Sequence, residues 1–213
     1  MIMAHPFLIL GAGGHARVVA DLLLGQNQQI AGFLDPNASL WGTAWRGIPV
    51  LGGDEKLAHY HARTHDLING VGSIGCSELH RTVFERYWKA GYKFPYLVHI
   101  RATMAIDVEL GEGSQIMAGA IVQTGTVIGQ NVIINTGACV DHDCCIGDHA
   151  HISPGVTLSG GVRVGMSAHI GTGATVIQGI KIGRNSLIAA GAVVIRDVPD
   201  GVTVTGVPAK ERD

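Results

Sequence analysis

Ile128-Gly-Gln-Asn-Val-Ile-Ile134-Asn-Thr-Gly-Ala-Cys-Val140-Asp-His-Asp-Cys-Cys-Ile146-Gly-Asp-His-Ala-His-Ile152 decides how the second half of this chain folds. An aliphatic residue returns at every sixth position. Working outward, the series runs from Ile116 and Val122 through Leu158, Val164, Ile170, Val176, Ile182 and Ile188 to Val194. Leu110, Met104 and Val98 extend it upstream, and Asp200 stops it. With apolar residues at about half of all positions, fourteen hits in a row have chance odds on the order of one in ten thousand.

The position two before each aliphatic residue is mostly small or β-branched, as at Ala120, Ala138, Cys144, Ala150 and Val156. The position just after it is often glycine, as at Gly111, Gly129, Gly147, Gly165, Gly171 and Gly183. Period six fits neither an amphipathic helix nor an alternating strand. It describes a coil with three short flat sides. One aliphatic side chain per side points inward, a small neighbour lies beside it, and glycine is expected to turn each corner. Stacked coils bury a continuous apolar column and pair their strands from coil to coil.

The first ninety or so residues follow a different grammar. Phe7-Leu-Ile-Leu10 reads as a buried strand and Gly11-Ala-Gly-Gly-His-Ala16 as a tight loop. Arg17 to Leu24 reads as a helix with Val18, Val19, Leu22 and Leu23 as its apolar stripe. A second strand, Gln29 to Leu34, ends at Asp35-Pro36. Asp54 to Arg63 is expected to be helical, and Asp66 to Asn69 a short strand. Ser77 can cap a helix running to about Ala90, with Gly91 past its end. Strands alternating with helices define an open parallel sheet. The expected divisions are 1–94 for this part, 95–198 for the coils, and 199–213 for a C-terminal loop and tail.

Composition narrows the function. Hydrophobic residues are 46% of the 213, so the chain has material for a core. Charged residues are only 15%, aromatics 5%, and glycine accounts for 31 positions, which suits repeated, tightly turned β-structure. A net charge of -2 argues against a nucleic-acid partner, which calls for a basic surplus. No apolar run reaches 18 residues, so no membrane span is expected, and the start shows no clear signal-peptide pattern. Cys76, Cys139, Cys144 and Cys145 have no disulfide-framework spacing and read as free thiols of a cytoplasmic enzyme.

Gly11-x-Gly13-x-x-Ala16 follows a strand and opens a helix, with Asp35 after the next strand. That is formally a dinucleotide fingerprint, in which backbone N–H groups at the helix start hold a diphosphate and the acid bonds a ribose hydroxyl. Ninety residues make only half of a two-lobed dinucleotide fold, which weighs against NAD. A nucleotide diphosphate of another kind and a turn without a ligand both remain open. His15, at the helix mouth, can donate to a phosphate.

The stretch from Asn135 to His151 interrupts the repeat with three His and three Asp. With Val140 inward, His142 emerges near a corner with Asp143 beside it. Acyl transfer to an amine or hydroxyl needs a base with pKa near 7, and a neighbouring carboxylate can orient it and stabilise its cation. A polar coil surface without chemistry is the alternative. Zinc ligation by His142, Cys144, Cys145, His149 and His151 is disfavoured, because Cys144 occupies an inward slot and the spacing matches no paired template. His169, next to inward Ile170, is expected at a surface or interface.

The chain resembles the bacterial nucleotide-sugar acetyltransferases of the hexapeptide-repeat type, which include the UDP-bacillosamine and GDP-perosamine N-acetyltransferases and sialic acid O-acetyltransferase relatives. The resemblance is carried by Gly11-Ala-Gly-Gly-His15, Phe33-Leu-Asp35, Asn135 to Asp143, Ile146 to Gly155 and Gly206-Val-Pro-Ala-Lys210. It implies an α/β N-terminal Rossmann-like half-domain followed by an all-β left-handed parallel β-helix. It also implies a homotrimer with acetyl-CoA between subunits, no metal, and transfer to the amino group of a nucleotide-linked amino-deoxysugar. His142 then resembles the general base, and Asp143 stands where the family often has the longer Glu. His151 and Gly160 match positions at the thioester end of acetyl-CoA, and Thr172 and Ala190 match positions further along its groove. Asn135 resembles a residue on the substrate side. Gly13, Gly14, His15, Asp35 and Gly72 match the nucleotide-sugar pocket. Sugar O-acetylation and a non-enzymatic, nucleotide-binding trimer are the other readings.

Overall fold

The computed structural model describes residues 5–72 and 78–212, in two compact units. The first comprises residues up to Gly72 together with Leu79–Pro95, and the second contains everything from Tyr96 on. Cys76 and the expected cap Ser77 lie outside the described residues.

The first unit is built on a sheet of five strands: β1 (Phe7–Leu10), β2 (Ile30–Leu34), β3 (Ala44–Trp45), β4 (Ile48–Gly52) and β5 (Asp66–Asn69), in the order β3-β4-β2-β1-β5. The β1–β2, β2–β4 and β1–β5 pairs are parallel, and β3–β4 is antiparallel. All four residues of β1 are buried, as a central parallel strand covered on both faces requires. Helix α1 (Gly14–Gly25) buries Ala16, Val19, Ala20, Leu22 and Leu23. Val18, expected in that stripe, is 46% exposed, because the 16/19/20/23 spacing sets the buried face and position 18 falls outside it.

One local expectation needs correction, and one element was not foreseen. Asp54–His59 is a 3-10 helix that ends well short of Arg63. Leu57 is its only buried residue, too small an anchor to hold a longer helix against the sheet. The β3–β4 hairpin had no counterpart in the sequence reading. Its turn places Arg46 and Gly47 at φ 49 and φ 80, the geometry of a two-residue type I′ turn. Helix α2 (Leu79–Lys89) packs Phe84 and Tyr87 into the core and ends at Gly91, φ 89.

The second unit is a left-handed parallel β-helix. Strands of two residues recur every six positions from Leu97–Val98 to Val193–Val194 and sort into three sheets. The register Ile121↔Cys139↔Thr157 makes one turn eighteen residues. The first face contains Cys139–Val140, the second Cys145–Ile146 and the third His151–Ile152. Ile116, Ile134, Val140, Ile152, Leu158 and Ile170 are fully buried in the column, with Ala120, Ala138 and Ala150 beside them. Cys144 is inward, at 1% exposure.

Glycine does turn corners, but two positions later than expected. Left-handed backbone recurs every six residues from Gly113 to Gly191, with Asn131, Asp143, His149, Ser167 and Asn185 at the positions where glycine is absent. The glycines directly after the aliphatic residues do something else. A Cβ on Gly147 would lie 2.7 Å from the Met166 backbone nitrogen, and one on Gly165 2.6 Å from that of Arg184. They let successive coils approach each other.

The segment after 198 is more than loop and tail. Val198 bridges to Ile182, Thr203–Thr205 pairs in parallel with Leu187–Ile188, and Lys210–Glu211 folds back antiparallel on it. The third face therefore continues past the last hexapeptide. Among the described residues, no helix is long and apolar enough to cross a membrane.

Candidate active site

His142 sits at the corner between the first and second faces, two residues past inward Val140. Its Nδ1 lies 2.8 Å from Oδ2 of Asp143. The short Asp carboxylate therefore reaches the ring. It does so because Asp143 occupies a left-handed corner, φ 57, which turns its side chain back over its own neighbour. Asp and Asn tolerate that conformation better than most residues. On the other side, the Oδ1 of Asp141 accepts the backbone N–H of His142 at 2.8 Å. The Asp143 hydrogen bond, and then the Asp141 charge, raise the imidazole pKa above its ordinary value.

Gly160 stacks one coil beyond His142. A Cβ there would lie 2.5 Å from both Cε1 and Nε2 of the imidazole, so the ring rests directly over the glycine. Nδ1 is taken by Asp143, and Nε2 is the nitrogen available for a proton transfer. Asp107, two coils earlier at the same corner, braces the coil between, its Oδ2 accepting from Thr124 Oγ1 and Gly125 N–H. Those bonds hold its carboxyl below the usual range.

The other coil residues singled out by sequence lie elsewhere on the prism. Asn135, Thr172 and Ala190 line the corner between the third and first faces, and His151 projects from the third face. One whole side, roughly 15 Å at ~3.3 Å per extended residue, separates that corner from His142. Asn135 and His151 do meet: Asn135 Nδ2 is 3.1 Å from His151 Nε2, and Asn135 Oδ1 accepts the Thr136 N–H at 2.7 Å.

Sequence reasoning missed the group behind His151. His169, expected at a surface or interface, is 9% exposed, and its ring meets that of His151 edge-on at 4.9 Å. Ser153 Oγ lies 3.2 Å from His169 Nε2. The signal was present in the eighteen-residue offset between the two histidines, which stacks them on adjacent coils. Among the described residues, no three His, Cys, Asp or Glu side chains converge as metal ligands. His149 Nδ1 is engaged with Asn131 at 3.0 Å, and Cys144 donates to the Ser159 carbonyl, with burial raising its thiol pKa to about 11.

In the first unit, the glycine loop connects β1 to α1, and Gly13 is the N-cap, with no side chain bonding the helix amides. Among the described residues, a Cβ at Gly13 or Gly14 would meet nothing within 4 Å, so none of them accounts for the missing side chains. Gly72 comes close to His15, its notional Cβ 3.3 Å from that of His15. Asp35 Oδ2 accepts the Ala12 N–H at 2.7 Å and Oδ1 accepts the Asn37 N–H at 2.9 Å. It ties the glycine loop to the end of β2. Beside it a small cavity is lined by Ala12, Arg17, Phe33 and Trp45 among others.

A stacked β-helix with a histidine–carboxylate pair at one corner, joined to a small parallel α/β unit with an open helix start, defines an acyltransferase of the left-handed β-helix class. Residues 7–87 match the PglD N-terminal domain family and residues 125–160 the bacterial transferase hexapeptide family. The acetyltransferase domain of PglB from Neisseria gonorrhoeae, in complex with acetyl coenzyme A, is similar at 37% identity and a TM-score of 0.89, covering 99% of this chain and 100% of that one. The chain belongs to the family of bacterial nucleotide-aminosugar N-acetyltransferases that join a PglD-type N-terminal domain to a hexapeptide-repeat β-helix. PerB from Caulobacter crescentus, in complex with CoA and GDP-perosamine, is similar at 37% identity with a TM-score of 0.90 and covers 100% of both chains. WeeI from Acinetobacter baumannii is similar at 27% identity and a TM-score of 0.87, covering 98% of this chain and 100% of that one. No curated protein sequence matches the chain.

Proposed function

We propose that the protein moves the acetyl group of acetyl-CoA onto the amino group of a nucleotide-linked amino sugar, with His142 as general base. The observation that carries this reading is the His142 ring, anchored through Nδ1 to Asp143 at 2.8 Å with Nε2 over Gly160. The neutral amine attacks the thioester carbonyl, and the new C–N bond forms as Nε2 takes the amine proton. The tetrahedral centre then collapses, the C–S bond breaks, and the proton passes to the departing thiolate. Asp143 stabilises the transient imidazolium. No covalent enzyme intermediate is required.

Gly160 contributes in two ways. Its missing side chain admits the ring. Its N–H has no backbone acceptor among the described residues, while those of Ser159 and Gly161 are committed to Val176 and His142. A free amide beside the base is placed to receive the oxyanion. Further along the same corner, Ile177 and Ile195 are 42% and 41% exposed, followed by exposed Arg196. An apolar track that ends in a cation suits a pantetheine arm and its phosphates.

Asn135, Thr172 and Ala190 lie a full side away from His142 in one chain. A site that uses both groups takes them from two copies, which supports a homotrimer with acetyl-CoA along the seam and His151 near the thioester end. The open space over Gly13 and Gly14 at the start of α1 supports a diphosphate there, with His15 and Gly72 beside it. Asp35 acts first as the clamp of that loop, and each of its oxygens keeps a second lone pair for a sugar hydroxyl. Acetyl-CoA as donor supports a cytoplasmic reaction.

The test is thiol release from acetyl-CoA with UDP-, GDP- and dTDP-linked amino sugars and their hydroxy counterparts. Release with an amino sugar alone supports the reading. Release only with the hydroxy sugars makes the protein an O-acetyltransferase, and silence across the panel overturns the reading.

A further inference from the structure

His151 and His169 form an edge-to-face pair of imidazoles whose hydrogen bonds determine their protonation. The Thr136 N–H fixes Asn135 with its carbonyl oxygen toward the backbone, so its amide nitrogen faces His151. His151 Nε2 is therefore the acceptor, and the ring proton resides on Nδ1. In His169, Nδ1 is buried with no hydrogen-bond partner among the described residues, and Nε2 faces Ser153 Oγ. A bare lone pair is a cheaper orphan than a buried N–H. The proton of His169 therefore sits on Nε2 and points at Ser153. Burial lowers the pKa of His169, which keeps the ring neutral.

Two neutral rings at 4.9 Å and 80° are held in an edge-to-face arrangement, with both outer ends tied, one to Asn135 and one to Ser153. Such a contact is orientational as well as apolar. A half-turn of His151 about its Cβ–Cγ bond would interchange nitrogen and carbon positions and forfeit the Asn135 bond. His169 is the buried ring packed against it on the next coil.

We propose that His169 is a positioning residue that braces His151 from the neighbouring coil and so holds it in the Nδ1–H tautomer with Nε2 on Asn135. Its importance for catalysis rests on the reading of His151 as an acetyl-CoA contact. Its effect on His151 does not.

The experiment is nitrogen-15 spectroscopy of the imidazoles together with acetyl-CoA kinetics, on the full chain. In the parent protein, His151 should show one protonated Nδ1 and one bare Nε2. His169→Ala should mix the two tautomers and raise KM for acetyl-CoA roughly fivefold, the weight of one aromatic edge contact. kcat should change less. His169→Phe, which restores a ring without its nitrogens, should recover both the His151 signals and KM. If His169→Ala does not fold, Ser153→Ala releases the His169 ring with a smaller loss of packing and should shift the His151 signals in the same direction. Unchanged His151 signals in a folded His169→Ala protein overturn the proposal. Altered signals with an unchanged KM uphold the brace and instead overturn the placement of His151 at acetyl-CoA.

Discussion

Asp143 reaches back across one peptide bond to hold Nδ1 of His142 at 2.8 Å, and it does so from a left-handed corner that glycine fills in the coils on either side, at Gly125 and Gly161. Positive φ at this corner favours Gly, Asn or Asp, although His149 and Ser167 adopt it at another corner, and Asp is the one of the three that also supplies a charge. One residue serves both the corner of the coil and the imidazole beside it.

If His142 is the base, His142→Ala should lower kcat by roughly 10²–10⁴ while leaving Tm within a degree or two, since the ring is half exposed and packs on a glycine. Thiol-release kinetics and a thermal melt check both. A variant with near-normal turnover would remove His142 from the mechanism.

Asp143→Asn addresses the pH profile. The native hydrogen bond and the Asp141 charge raise the His142 pKa. With His142 as the base, the neutral ring that accepts the proton becomes populated only as pH climbs through that raised value. Losing the Asp143 charge should move the acidic limb of kcat/KM to lower pH and reduce the plateau, because the imidazolium formed during transfer is less stabilised. An acidic limb that moves upward, or stays in place, contradicts the pairing.

Gly160→Ala places a methyl where the imidazole already is, 2.5 Å from Nε2. The ring must swing outward. A misplacement of about 1 Å can cost on the order of 10²-fold in rate. The atoms the methyl meets belong to a half-exposed side chain that can move, so Tm should hardly change. Full activity in this variant would show that the ring does not work from its position over Gly160.

Two glycines with different duties should respond differently to alanine. Gly147→Ala drives a Cβ to 2.7 Å from a backbone nitrogen of the next coil, and backbone cannot step aside. The expected cost is ~3 kcal/mol, the upper end of the overpacking range. Gly155→Ala has open space but φ 67, so only the left-handed penalty of roughly 1–2 kcal/mol applies. Urea midpoints of the two variants should rank in that order.

Period six was readable because each side of the prism repeats the same local demand, one aliphatic residue inward per six, with Ile134, Val140 and Ile146 marking three consecutive sides. His142 was readable as a corner residue for the same reason. The β3–β4 hairpin was not, because Arg46 in a left-handed turn has no compositional signal comparable to Asn-Gly. The role of the glycines after each aliphatic residue was also misassigned. Their constraint comes from the next coil, six-residue period or not, as the Gly147 contact with Met166 shows.

By itself the sequence determined the two kinds of architecture, the inward column and the histidine–aspartate pair at a corner, since each is written in residues no more than a few positions apart or in a strict repeat. Only the tertiary structure decided that Asp143 faces Nδ1, that Gly160 lies beneath Nε2, and that His169 stands behind His151. Those relations depend on which side chains an eighteen-residue turn brings into register and on the torsion of single corner residues, and neither is encoded in local propensity.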